Sequence, residues 1–173
     1  MGNEKLTKDD IKKIQAEIEE RKLVLRPKIL EDLKAARAQG DLSENFEYYA
    51  AKKNNRENNS RIEYLEDMIK NAIILDDKDT SGVSLNNTVK VRFVEEGVGE
   101  DSWDEEVYKI VTSIRADSMK NKVSIESPLG KALLGKNVNE QVKVLLENGS
   151  GYELKIIEID KTTDAEDDNI KSF

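Results

Sequence analysis

Two carboxylates, Asp41 and Glu44, stand three residues apart in the segment Gly40-Asp41-Leu42-Ser43-Glu44-Asn45. One reading of that spacing is local: Asp41 caps a helix N-terminus while Glu44 at N3 reaches back to a backbone amide, and the helix dipole favours both charges. The other reading is chemical. Carboxylate oxygens are the hard donors that Mg²⁺ takes, and Mg²⁺ held by only one or two of them keeps its own waters. A pair delivered on a narrow support into another molecule's cavity would hold a divalent cation or orient a water there. Two carboxylates are too few to bind tightly alone, so such a site is shared with a partner that supplies most of the ligands. Just behind them, Lys52, Lys53, Arg56 and Arg61 face only Glu57, four positive charges minus one, a net +3 over residues 50–62. That cluster reads either as a solvated helix face or as a local phosphate-binding patch. Phe46, Tyr48 and Tyr49 read as packing at the end of a helix pair, or as stacking platforms beside single-stranded RNA.

Composition removes most other chemistries. The 173 residues carry 28 Lys and Arg against 36 Asp and Glu, a net charge of −8, so nucleic acid is not wrapped by bulk charge. With no cysteine there is no disulfide, thiol nucleophile or thiolate metal site, and with no histidine the commonest acid/base side chain is missing. No apolar run approaches the roughly 18 residues of a membrane span, and the start MGNEKLTKDD lacks a signal peptide's apolar core. The expectation is a cytoplasmic protein without membrane contact.

The elements that must position the carboxylates follow from periodicity. Thr7-Lys8-Asp9-Asp10 is close to a capping box and starts a helix in which Ile11, Ile14, Ile18, Leu25, Ile29 and Leu33 form one apolar stripe. Pro27 lies inside the stripe and predicts a kink, and Gly40 predicts the stop, in a helix C′ position. A second helix is expected from about residue 42 to 74, with Ile62, Leu65, Ile69 and Ala72 as a coiled-coil seam. Projected back, the seam passes through Asn58, Asn55, Ala51 and Tyr48, so its middle is polar and should be its softest part. Two helices of about 32 residues give an antiparallel hairpin roughly 45–50 Å long. The predicted organisation is a hairpin domain over 1–76, a linker over 77–85, a second domain over 86–161 and an acidic tail over 162–173 expected to be disordered. In the second domain, segments 88–94, 106–114, 122–125, 140–146 and 152–159 read as five mostly antiparallel strands. Ser127-Pro128 to Gly135 reads as a short helix with Ser at the N-cap, Pro at N1 and Gly at C′. The fold class is therefore α+β.

Two stretches go further. Residues 36–52, Ala36-Arg37-Ala38-Gln39-Gly40-Asp41-Leu42-Ser43-Glu44-Asn45-Phe46-Glu47-Tyr48-Tyr49-Ala50-Ala51-Lys52, resemble the tip signature of the GreA/GreB transcript cleavage factors of bacterial RNA polymerase. Residues 125–136, Ile125-Glu126-Ser127-Pro128-Leu129-Gly130-Lys131-Ala132-Leu133-Leu134-Gly135-Lys136, are similar to that family's second signature. The resemblance spans about residues 4–160. It implies an N-terminal coiled-coil hairpin that enters the polymerase secondary channel and an FKBP-like antiparallel β-sheet domain with one short helix that docks at the channel rim. Asp41 and Glu44 would then be donated to the polymerase active site as ligands of a shared Mg²⁺, present only in the complex. By the same resemblance the chain would have no cofactor of its own and would be an activator of the polymerase, not an enzyme. Lys52, Lys53 and Arg56 would hold the nascent RNA near its 3′ end in backtracked complexes. Gly40, Ser43, Asn45 and Tyr48 would support the tip, and Ser127, Pro128 and Gly130 would belong to the docking surface, in a monomeric factor. The chain departs from the family pattern at Arg56-Glu57, where a Gly-Phe pair is usual, and at Arg115, where an acidic residue is usual. Rival readings are a channel-bound inhibitor of the same fold, a prolyl isomerase or chaperone, and a plain dimerisation rod.

Overall fold

The computed structural model describes residues 3–40, 45–76, 81–162 and Ile170. The chain divides into two compact units, residues 1–74 and 75–173. Of the predicted tail, 163–169 and 171–173 lie outside the described residues, as do 77–80 of the predicted linker.

In the first unit a short strand β1 (Lys5–Leu6) leads into helix α1 (Lys8–Glu20). The capping box is complete: the Thr7 hydroxyl accepts from the Asp10 amide at 3.1 Å and the Asp10 carboxylate accepts from the Thr7 amide at 2.9 Å. Pro27 does not break the helix. The chain widens instead into a π-helical turn over Arg21–Leu25, in which the Arg26 amide donates to the Arg21 carbonyl, and resumes as α2 (Arg26–Arg37). A regular turn would drive the proline ring into the carbonyl four residues back, and one wide turn relieves that clash. The same turn shifts the apolar phase. Ile14 is buried and Ile11, Ile18, Ile29 and Leu33 are half-buried, but Leu25 falls out of the predicted stripe, with Leu23 and Val24 at 67% and 61% exposure, while Arg21 and Arg26 turn inward.

Helix α2 ends one residue earlier than predicted, with Ala38 as its cap, and Gly40 supplies the left-handed backbone at φ +99°. Helix α3 (Phe46–Lys70) is shorter than predicted at both ends, about 37 Å at 1.5 Å per residue. Its cap is Asn45, and beyond Lys70 the chain turns into β2 (Ile73–Ile74), which pairs in parallel with β1. Two apolar β-branched residues extend where the partner strand offers its backbone, which a helix end cannot do. The seam reads Ala51, Asn58, Ile62 and Leu65 as predicted, then slips by one residue to bury Met68 rather than Ile69.

The second unit is a five-stranded mixed sheet. Strands β3 (Thr88–Phe93), β4 (Glu105–Val111), β5 (Lys122–Ser124), β6 (Gln141–Leu145) and β7 (Gly151–Asp160) lie in the order β5-β4-β3-β7-β6. All pairings are antiparallel except β4 with β5. Alternation puts Val89, Val91, Val142, Val144, Leu154 and Ile156 on the face covered by α4 (Pro128–Leu133), whose Leu133 is fully buried. Ser127 caps α4, Pro128 occupies its first turn and Gly135 follows at φ +78°. Val83, placed in the linker by sequence, belongs to this core: it is 1% exposed, its amide donates to the Lys136 carbonyl and its carbonyl accepts from the Gly135 amide.

Candidate functional site

Asp41, Ser43 and Glu44 lie outside the described residues; the structure defines the two ends that carry them. Asn45 joins those ends. Its Oδ1 accepts from the Tyr48 amide at 3.0 Å, capping α3, while its Nδ2 donates to the Ala36 carbonyl at 2.7 Å in the last turn of α2. One side chain thus satisfies an orphan amide at one helix start and a carbonyl at the opposite helix end. The N-cap of α3 is Asn45, so the helix opens four residues later than the reading with Asp41 as its cap places it; Asp41 itself lies outside the described residues. Two further links cross between the arms: the Arg37 guanidinium lies 5.7 Å from the centroid of the Tyr48 ring, and Gln39 donates to Glu47 at 2.9 Å. Phe46, at 86% exposure, does not pack at the hairpin end, and Tyr49 is 51% exposed with its ring edge-to-face on Tyr48.

Lys52, Lys53 and Arg56 are exposed along α3 and line a groove of about 520 Å³ together with Tyr49, Asn55, Asn59, Ser60 and Glu63. Lys53 lies 3.7 Å from Glu57, an exposed pair worth little. Arg61 does not join this face. It is 5% exposed and holds Glu17 with two hydrogen bonds, at 2.9 and 3.1 Å. Arg21 donates to the same carboxylate at 2.7 Å and to Asn58 Oδ1 at 3.2 Å, and Asn58 Nδ2 donates to the Arg21 carbonyl at 3.3 Å, inside the π turn. Burial raises the Glu17 pKa, but the hydrogen bonds and charges of Arg61 and Arg21 outweigh it and hold the carboxyl below its usual value. The polar stretch of the seam is therefore a connected network rather than a weak packing layer.

In the second unit, the Ser127 hydroxyl accepts from the Gly130 amide at 3.0 Å and donates to the Ser124 carbonyl at 2.7 Å. A Cβ on Gly130 would stand 2.0 Å from that same carbonyl oxygen, so glycine is required for α4 to approach β5. Pro128 alone of the three predicted docking residues is exposed. Arg115 points inward: it is 4% exposed and donates to Asn86 Oδ1 at 2.7 Å and to Thr112 Oγ1 at 3.3 Å. Sequence reading grouped Asn45 and Tyr48 as tip supports without the bridge between the arms. It also missed Arg37, whose spacing from Tyr48 means nothing until the chain reverses. Among the described residues no group of three His, Cys, Asp or Glu side chains is placed to hold a metal, and no helix is long and apolar enough to cross a membrane.

Comparison with known proteins covers both units. Residues 4–74 match the family model for the N-terminal part of the transcription elongation factors, and residues 78–161 match the GreA/GreB C-terminal model. The chain is 44% identical to the transcription elongation factor GreA of Staphylococcus epidermidis over 163 residues, 92% of this chain and 99% of that one. It is 46% identical to that of Thermoanaerobacter pseudethanolicus over 159 residues, 90% and 96% of the two chains. Among solved structures it is similar to GreA factor homolog 1 of Thermus thermophilus, at 23% identity and a TM-score of 0.42, covering 91% and 98% of the two chains.

Proposed function

The chain belongs to the GreA/GreB family of transcription elongation factors, and on that premise we propose that it enters the RNA polymerase secondary channel by its helical hairpin and stimulates the polymerase's own cleavage of backtracked RNA. The observation that carries this reading is Asn45, which caps α3 and ties it to the last turn of α2, fixing the two helix ends between which the sequence carries Asp41 and Glu44. Asp41 and Glu44 offer hard oxygen donors suited to the Mg²⁺ of the polymerase active centre, as part of a ligand set completed by the polymerase. That Mg²⁺, when bound, stabilises the charge on the attacking and leaving oxygens of an in-line displacement. Asp41 and Glu44 would themselves only position, helping to hold that cation and orient a water beside it. No nucleophile and no covalent intermediate come from this chain, which acts as an activator and not as an enzyme. Lys52, Lys53 and Arg56 neutralise phosphates of the displaced RNA near its 3′ end. Pro128, braced from beneath by the hydrogen bonds of Ser127 and the close approach at Gly130, presents the rigid edge that docks on the polymerase. A single copy of the chain suffices for each of these tasks, and they place the protein in the cytoplasm with the transcription machinery.

The test is cleavage of nascent RNA in stalled elongation complexes. The wild-type chain is expected to accelerate cleavage, and Asp41→Ala and Glu44→Ala each to lower the stimulation by roughly 10²-fold with helical content unchanged, the scale on which one preorganised charge acts. Inhibition of the polymerase without cleavage by the wild-type chain would overturn the proposal.

A further inference from the structure

The groove on α3 runs on past its cations. From Tyr49 to Glu63 it covers 14 residue steps, about 21 Å along the helix. On the seam side of α3 the polar side chains are engaged: Asn58 with Arg21, Arg61 with Glu17, and Asn59 Oδ1 with Arg26 at 2.8 Å. Of the polar side chains that line the groove, Asn59 is thus engaged, and Lys53 lies 3.7 Å from Glu57. Among the described residues, the side chains of Lys52, Asn55, Arg56, Ser60 and Glu63 have no hydrogen-bond or ion-pair partner. Their order along the helix sorts two kinds of ligand group. The end near the tip has Lys52, Lys53 and Arg56, which suit phosphates, and the exposed Tyr49 ring, which offers a π face to a base. The far end has no unpaired cation. It presents an amide, a hydroxyl and a carboxylate, and a carboxylate repels phosphate while accepting hydrogen bonds from a donor-rich edge.

We propose that this groove is a binding site for single-stranded RNA lying with its bases toward α3, and that Glu63 selects guanine. Guanine alone among the bases places two adjacent N–H donors, N1–H and N2–H, on its Watson–Crick edge, and a carboxylate takes them as a pair. Uracil presents one N–H between two carbonyl oxygens that the carboxylate repels. Single-stranded bases are free to offer this edge, which a duplex hides. The proposal rests on the reading that this hairpin meets RNA, and adds to it a preference for which base is held.

The decisive comparison is one atom group in the RNA. The full chain is titrated at low salt, by fluorescence anisotropy, with an oligouridylate carrying one guanosine and with the same oligomer carrying inosine, which lacks only the N2 amino group. The guanosine oligomer is expected to bind about fivefold tighter, the low end of a bidentate base contact because the groove is open to water. In Glu63→Gln, an exposed position where folding is not at stake, that ratio is expected to fall to one, whereas Lys52→Ala weakens both oligomers equally and leaves the ratio in place. Equal affinities in the wild type, a ratio that survives Glu63→Gln, or no RNA binding at all would each overturn the proposal. The cleavage assay reports separately: a chain that prefers guanosine but never stimulates cleavage overturns the functional reading alone, and one that stimulates cleavage without the preference overturns only this one.

Discussion

Asn45 makes a sharp test because one side chain performs two separable tasks. Asn45→Ala removes the cap on the Tyr48 amide and the bond to the Ala36 carbonyl. Loss of an Asn cap costs about 1 kcal/mol. The second bond, from the half-buried Asn45 to the buried Ala36, is worth about another 1 kcal/mol. The sum, about 2 kcal/mol, falls on the first turn of α3 and the last of α2 and not on the whole chain, so native-state hydrogen exchange is the right assay. At 1.4 kcal/mol per tenfold, protection of the Tyr48 amide should fall roughly 30-fold, while amides of the second unit keep theirs. Asn45→Asp separates the two tasks. It keeps an acceptor for the cap but turns the donor facing the Ala36 carbonyl into a second acceptor, so it should retain Tyr48 protection better than Asn45→Ala while loosening the α2 end. Cleavage stimulation should decrease in both variants, because freeing either helix end widens the positions open to Asp41 and Glu44. The bridge reading is refuted if Asn45→Ala leaves Tyr48 protection within twofold of wild type.

Three further outcomes follow from the structure. Glu17→Gln should destabilise the first unit by about 3 kcal/mol in a thermal melt followed by helical circular dichroism, since it removes the charge that accepts two hydrogen bonds from the buried Arg61. The pH dependence has a definite sign: Glu17 titrates below its ordinary 4.5 in the folded chain, so its contribution is complete above that pH and fades as pH falls through the lowered value. Melts of the wild type across that acid range should show the loss, and Glu17→Gln should lack that component. Gly130→Ala should cost up to about 3 kcal/mol in the second unit, read by near-ultraviolet circular dichroism on urea titration, because the new methyl meets backbone at 2.0 Å and no flexible side chain can yield.

The second unit was legible almost strand for strand because its rules are local. Alternation of apolar residues fixes each strand and its inward face, and Ser-Pro at one end with Gly at the other fixes α4. What sequence reading missed there was Val83, whose backbone bonds to residues 135–136 are made across more than fifty residues and leave no pattern nearby. In the first unit the same gap is wider. Heptads located the seam but valued Asn58 as a single polar residue, and Arg61 was counted with the basic cluster, when the worth of both lies in Glu17 and Arg21 on the other arm. The carboxylate pair stands in the sequence as candidate chemistry on residues outside those described, whereas the bridge by Asn45 left no signal, since a cap and a contact with Ala36 look identical in a string of letters.

The π turn shows why these losses have one cause. Pro27 announces a defect at its own position, but the consequence is the carbonyl of Arg21, which receives both the Arg26 amide and the Asn58 side chain. A local steric rule thus sets a register shift, the shift turns Arg21 inward, and Arg21 then meets the Asn58 that a heptad count puts at the seam. Removing the proline tests that chain of causes. Pro27→Ala allows a regular helix, which no longer needs the wide turn, and the network should lose either Arg21 or its phase with Glu17. The variant should therefore gain little from its better helix propensity, and it should weaken the acid-dependent step in stability that Glu17 provides. A Pro27→Ala chain that is more stable by the full ~3 kcal/mol of helix propensity, with that acid step intact, would show that the turn and the buried network are independent.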